Sequence, residues 1–348
     1  MAAACPTRYC VEITFKARST CLAYRWRQYK PLRSPACHFL SCLVIRTLTM
    51  NGYILLIGHP ASPEIAALVH QLTLRNQRCC VLDTSRLGVD VSISWDPVTG
   101  TGILATARTT IAFSEIHAAF WDQYYPRAAL AGKDTATCAH EWQSLLETLL
   151  TYQAIRWYNS IAAIRSHRCK PQQLYRAVQH GLTIPVTCIG NDPSRMQQFL
   201  AEHEQTIIKP VHGGAFTELY RHRELQAQQP TCLPVTGPMT LQEYIEGTNI
   251  RSYVINTTVI SAELRSACVD FRQDTNTQAF AHELPEALTQ TVLALFNQLG
   301  MQWGAIDWRL DDQGRYVFLE ANPAPRFTYF EQATGYAVAS KMAETLIG

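Results

Sequence analysis

Hydrophobic residues change their spacing along the chain, and the changes mark out its elements. From Tyr53 the run YILLIG reads as a buried strand. Ser62, Pro63 and Glu64 then supply N-cap, first-turn proline and N-terminal acid to a helix carrying IAALVHQLTLRN, and CCVLD follows as a second strand. Strand, helix, strand is a βαβ start. The turn GHPASP is not the GxGxxG of a dinucleotide site, so a nicotinamide cofactor gains no support. Trp121, Tyr124 and Tyr125 fall in a loop, and a helical stretch over roughly residues 140–160 completes a first domain.

A second unit begins at Ile164. A short β-run ending at Lys170 precedes a helix that stops at Gly181, a natural C-terminal glycine. The segment TIPVTCIGND, a helix from about Pro193 to Glu204, the strand TIIKP, the loop VHGGAF and a strand near residues 217–220 follow. Residues 239–266 then hold two or three strands with a turn at Gly247, a helix over 285–299 comes next, and a closing helix starts at Glu331.

Residues 304–322, GAIDWRLDDQGRYVFLEAN, read as a β-hairpin. Two apolar runs flank Asp311, Asp312, Gln313 and Gly314, and Gly314 suits the positive φ of a tight turn. With Gln313 and Gly314 as the loop, Asp312 faces Arg315 and Asp307 faces Glu320, their Cβ atoms ~5 Å apart. Strand alternation adds Asn322 and Arg309 to that face and sends Ile306, Trp308, Val317, Leu319 and Ala321 to the apolar one. Two carboxylates and an amide oxygen suit a Mg²⁺ ion whose coordination nucleotide phosphates complete. The alternative is a half-exposed hairpin whose acids are merely solvated.

Composition narrows the partners. With 348 residues, 47% of them hydrophobic, the chain can bury a sizeable core spread over two or three domains. Its net charge of +2 hides a split: residues 1–49 carry eight Lys and Arg against one acid, and the remainder carries 22 against 27. No uniform basic surface argues for nucleic acid, and no run of 18 or more apolar residues argues for a membrane span. Twelve cysteines without a CxxC pair read as reduced thiols of a cytoplasmic protein. The Arg-rich, irregular segment 1–49 is expected to be an extension outside the fold, either a targeting segment or the product of a start upstream of Met50.

The remaining candidates are cationic or polar. Lys209 ends a β-run and is followed by Gly213 and Gly214, whose amides could lie over phosphates; Lys170 sits similarly. Two ammonium groups beside a two-carboxylate metal site match what a triphosphate requires, although either lysine taken singly reads better as a solvated surface charge. Gln242, Glu243, Tyr244 and Ile245 form a strand able to offer backbone groups to an adenine edge. Arg251, Arg265 and Arg326 are candidate catalytic clamps for a phosphate or a substrate carboxylate.

The order Lys170, Lys209 in IIKPVHGG, QEYIEG, and Asp307, Glu320 and Asn322 in ID(x12)EAN resembles the ATP-grasp superfamily of carboxylate ligases over residues 50–348. KPQQLYRAVQHGLTIPVTCIGND, GAIDWR and YVFLEANP look most like its ribosomal-protein glutamate-ligase branch, which includes graspetide peptide macrocyclases. The resemblance implies ATP phosphates on Lys170 and Lys209, adenine on residues 242–245, and Mg²⁺, or Mn²⁺ in its place, on Asp307, Glu320 and Asn322. Two departures stand out. Asn249 occupies the place where such families commonly hold the ribose with an acid, and Gly304 and Ala305 stand where an arginine often precedes the metal aspartate, which leaves Arg251 or Arg265 to neutralise the phosphoryl group.

The expected architecture is a mixed α+β and α/β ATP-grasp fold. A pre-ATP-grasp βαβ domain (50–160) precedes a small domain (161–240) and a C-terminal metal-site domain (241–348), with ATP between the last two. The expected activity is ADP-releasing amide or ester formation through an acyl phosphate. A peptide or protein carboxylate and an amine or hydroxyl are the partners, a homodimer is left open, and neither nucleic acid nor membrane takes part. A small-molecule carboxylate–amine ligase and a non-catalytic nucleotide-binding or scaffold protein are the alternatives.

Overall fold

The strand YILLI forms β1 (Tyr53–Ile57), buried from Ile54 onward as a central parallel strand covered on both faces must be. In the computed structural model, which describes residues 52–123, 135–212, 217–221 and 237–348, α1 (Pro63–Leu74) leads back to β2 (Cys79–Leu82), parallel to β1. The expectations for segment 1–49, Tyr124, Tyr125, Gly213 and Gly214 lie outside the described residues. A small antiparallel sheet of β3 (Ser92–Asp96), β4 (Thr101–Ala105) and β5 (Thr110–Ala112) precedes β6 (Ile116–Trp121), α2 (Thr135–Leu150) and β7 (Arg156–Tyr158). The parallel sheet runs β2-β1-β6-β7. One face packs Leu55 and Ile57 against Phe113 and Leu149. The other shares a core with the C-terminal part of the chain, where Ile54, Leu56 and Ile65 meet Tyr253, Trp303 and Phe330.

The chain continues through α3 (Ile161–His167), α4 (Lys170–Gln179), β8 (Thr187–Gly190), α5 (Pro193–Glu202), β9 (Gln205–Pro210), β10 (Glu218–Arg221) and β11 (Met239–Glu243). The strands form an antiparallel sheet in the order β10-β9-β11-β8, with Met196, Phe199 and Leu241 at its core. Beyond it lie β12 (Thr248–Ile255), β13 (Thr258–Arg265), β14 (Gln278–His282), α6 (Glu286–Leu299), β15 (Trp303–Leu310), β16 (Tyr316–Asn322), α7 (Thr328–Thr334) and α8 (Val338–Ile347). These strands make a five-stranded antiparallel sheet, β14-β13-β12-β15-β16. None of the helices among the described residues is long and apolar enough to cross a membrane.

Several expected boundaries move. The helix expected over 140–160 stops at Leu150, and residues 156–158 instead pair with the edge of β6, a contact between distant residues that overrides local propensity. The run before Lys170 is helical, because Ser160 accepts the amide of Ala163 at 3.2 Å and caps α3. Lys170 therefore opens α4 and does not end a strand. Strand β11 crosses the expected boundary at 240/241, and Ala163, Leu174, Ala177 and Leu182 pack with Trp308 and Phe318 of the large sheet. The helices α3 and α4 thus belong by packing with the C-terminal strands.

Candidate functional site

The β15–β16 hairpin reaches the expected pairing by two offsets that cancel. Asp311 donates its amide to Arg315 O at 3.1 Å and accepts that of Gly314 at 3.1 Å, which closes a three-residue loop with Gly314 at φ +76°. Leu310 consequently faces Tyr316, one residue away from the expected register. A bulge between Trp308, paired with Phe318, and Asp307, paired with Glu320, restores the register. The apolar face changes with it. Phe318 joins Ile306, Trp308 and Ala321 in the core, whereas Val317 becomes the partner of Arg309 and Leu319 lines a cleft, so neither takes the place expected of it.

That cleft, about 320 Å³, lies between the small and large antiparallel sheets. Lys209 and Gln242 line it from one side, Asp307, Glu320 and Asn322 from the other. Lys170 reaches it from α4, which Gln173 fastens to β16: the Gln173 amide donates to Ala321 O at 2.7 Å and accepts from Ala321 N at 2.9 Å. The Lys170 ammonium donates to Glu320 Oε2. His167 Nδ1 lies 2.9 Å from Ala321 O in the same corner, and burial lowers its pKa.

Charges in the cleft perturb one another. Burial pushes the Glu320 carboxyl up, but Lys170, helped by Lys209 and His167, outweighs it and holds the group at about 2. Burial pushes Asp307 up, Glu320 adding to the effect and Arg251 opposing it. Lys209 falls to about 8, mainly through burial. Arg251 lies directly across from Asp307 on the neighbouring strand β12, its Nε 3.6 Å from Asp307 Oδ1, and neither atom has a hydrogen-bond partner although both are buried. A buried carboxylate oxygen without a donor is an open ligand position. Among the described residues no group of three or more His, Cys, Asp and Glu gathers to hold a metal alone, and Asn322 Oδ1 accepts the amide of Ala324 at 2.9 Å.

The hinge between the sheets carries the other candidates. Gln242 donates Nε2 to Thr187 Oγ1 at 3.0 Å, which leaves its amide oxygen for a ligand. Glu243 accepts the amide of Val186 at 2.9 Å, and Tyr244 donates its amide to Gln205 O at 3.1 Å. Arg309 binds Ile245 O at 3.0 Å and Asn249 Oδ1 at 2.9 Å, so Asn249 faces a guanidinium in this structure.

Two expected clamps point elsewhere. Arg265 chelates Glu263 at 2.8 and 3.2 Å, stacks over Phe280 and lines a second cavity of about 280 Å³ beside the hinge. Arg326 donates to Glu64 at 2.5 Å and to Ser62 at 3.1 Å, drawn to a buried carboxylate of the first sheet. Sequence reading passed over Arg272, which lines the cleft and is oriented by Asp270 at 2.8 Å. It lies in a single short turn, where no periodicity marks it. Gln173 and Arg309 carried no signal beyond their place on a helix and a strand.

A sequence profile described as the RimK-like ATP-grasp domain matches residues 167–346, just over half of the chain and all of the cleft. A probable alpha-L-glutamate ligase 2 of Shewanella amazonensis is 28% identical over 199 residues, covering 53% of this chain and 65% of that protein. The match to a second curated relative covers 44% of its length, so the chain spans less than two thirds of either. Macrocyclase MdnC bound with precursor peptide MdnA, from Microcystis aeruginosa, superposes with a TM-score of 0.75 at 21% identity over 85% of this chain and 99% of that one. ATP-grasp ligase PsnB, complexed with a phosphomimetic variant of its minimal precursor, Mg and ADP, gives 0.73 at 24% identity over 84% and 97%. Both likenesses are of fold. With the profile matched over the very residues that build the cleft, the chain belongs to the RimK-like ATP-grasp family.

Proposed function

We propose that the chain is an ATP- and Mg²⁺-dependent ligase that activates a peptide or protein carboxylate as an acyl phosphate and passes it to an amine or hydroxyl. The observation that carries the reading is the pairing of Asp307 with Glu320 across a bulged hairpin, in a cleft that also holds Lys170 and Lys209. A carboxylate is a poor electrophile at neutral pH, so a site that joins it to a nucleophile must offset the phosphate charge needed to activate it. Lys170 and Lys209 supply point charges for phosphate oxygens. Asp307, Glu320 and Asn322 would hold the metal, and the unpartnered Asp307 Oδ1 fits that role. Bound there, Mg²⁺ or Mn²⁺ would neutralise phosphate oxygens.

This reading assigns the adenine to residues 242–245, the ribose to Asn249, and the phosphates also to Gly213 and Gly214, which lie outside the described residues. Arg251 offsets the charge of Asp307 from the neighbouring strand. Since Arg265 is turned away, the clamp for the transferred phosphoryl or the substrate carboxylate falls to Arg272. The peptide substrate is supported by the fold shared with a macrocyclase bound to its precursor peptide. A small-molecule acceptor is the second reading, favoured by the relative named as a glutamate ligase. We place the reaction in the cytoplasm, where ATP is regenerated.

The test is turnover with ATP, Mg²⁺ and a panel of acidic peptides and amino acids. ADP and phosphate should appear with a product lighter by one water than its two parts, and Glu320→Gln should abolish both while the protein still folds. AMP and pyrophosphate would overturn the acyl-phosphate route. Normal turnover by Glu320→Gln would remove the metal assignment.

A further inference from the structure

Residues 323–328 join β16 to α7 and follow Asn322 directly. Their sequence, PAPRFT, cannot hold itself in place: two prolines remove backbone donors, and Phe327, at the N-cap of α7, has no side-chain acceptor for the first amides of the helix. Partners from the first sheet fill the gap. Glu64, 2% exposed at the start of α1, accepts from Arg326 Nη1 at 2.5 Å, Thr328 Oγ1 at 3.0 Å and the Phe327 amide at 3.3 Å. A carboxylate distant in sequence thus caps α7.

Asn159, 1% exposed just past β7, does more. Its Nδ2 donates to Trp303 O at 2.7 Å and Pro323 O at 3.0 Å, and its Oδ1 accepts the amides of Gln302 at 2.8 Å and Trp303 at 3.1 Å. Trp303 begins β15 and Pro323 follows the end of β16. One buried amide, its hydrogen-bonding capacity filled, therefore ties together the open ends of the two strands that carry Asp307 and Glu320. Tyr253 adds a third hold through its hydroxyl, which donates to Arg326 O. No described residue of 52–160 is among those lining the cleft, so Glu64 and Asn159 can act there only through others.

We infer that Glu64 and Asn159 are positioning residues: the first βαβ segment closes the open end of the β15–β16 hairpin and so sets the spacing of Asp307, Glu320 and Asn322. The inference rests on the cleft being a Mg·nucleotide site. Calorimetric affinity for Mg·ADP tests it in the full chain, with Glu64→Gln, Asn159→Leu and, as a control, Leu149→Ala, which disturbs the core on the other face of the first sheet, a core that includes no residue of 323–328. At a temperature where all are folded, Glu64→Gln and Asn159→Leu should lose roughly tenfold in affinity, the lower end of what direct partners of a metal ligand lose, and amide exchange across 323–328 should rise. Leu149→Ala should melt earlier yet bind as wild type does. If Asn159→Leu does not fold, Asn159→Gln and Arg326→Lys carry the same comparison. Variants that melt early but keep wild-type affinity would overturn the inference alone. A wild-type chain without affinity for Mg·ADP would overturn the reading of the cleft, and this inference with it.

Discussion

Lys209 is a half-buried cation at the end of β9. Burial lowers it to about 8, so the ammonium is present below that pH and is lost as pH rises through it. ADP affinity should therefore decline above about pH 8, and Lys209→Ala should remove both the decline and on the order of 2 kcal/mol of binding. Calorimetry on either side of that pH decides; a pH profile unchanged by the substitution would take Lys209 out of the phosphate site. The residue owes its place to β9, whose apolar run was legible in sequence, whereas its electrostatic company was not. Glu320 and Lys170 are 150 positions apart, and only folding puts them in contact. The same distance problem hid the true partner of Arg326, a glutamate 262 positions away that sequence reading took for an ordinary first-turn acid.

At the scale of elements, the turn between β11 and β12 is the most constrained point of the hinge. Gly247 has φ +141°, and a Cβ there would lie 2.1 Å from Leu310 O, a backbone atom that cannot rotate aside. Gly247→Ala should cost more than ~1 kcal/mol of stability and shift the hinge against β15, because both the conformation and the space exclude a side chain. A thermal melt and an ADP titration unchanged from wild type would show the hinge to be more tolerant. Elements with strong local patterns, such as β1, α1 and the β15–β16 pair, were legible in sequence. Those that failed were decided elsewhere: β7 exists because β6 offers it an edge, and α3 because Ser160 caps the short stretch IAAIRSH. The hairpin is the instructive case. Its pairing of Asp307 with Glu320 follows from alternation and a turn glycine, yet the bulge that makes it possible leaves no mark in composition.

For the whole molecule, Met50–Gly348 forms one compact unit whose parallel and antiparallel sheets share a core. Removing residues 1–49 should therefore leave the thermal melt and ADP affinity of the remainder unchanged; a broadened or earlier melt would count against this. Packing also divides the two lysines. Lys170 rides on α4, bound to β16 through Gln173, while Lys209 belongs to the small sheet. Any motion that separates the sheets carries Lys209 away from Glu320 and leaves Lys170 beside it. Opening the cleft would thus change the local charge balance by one ammonium group, and under the proposed reaction that change would loosen the hold on an anionic product.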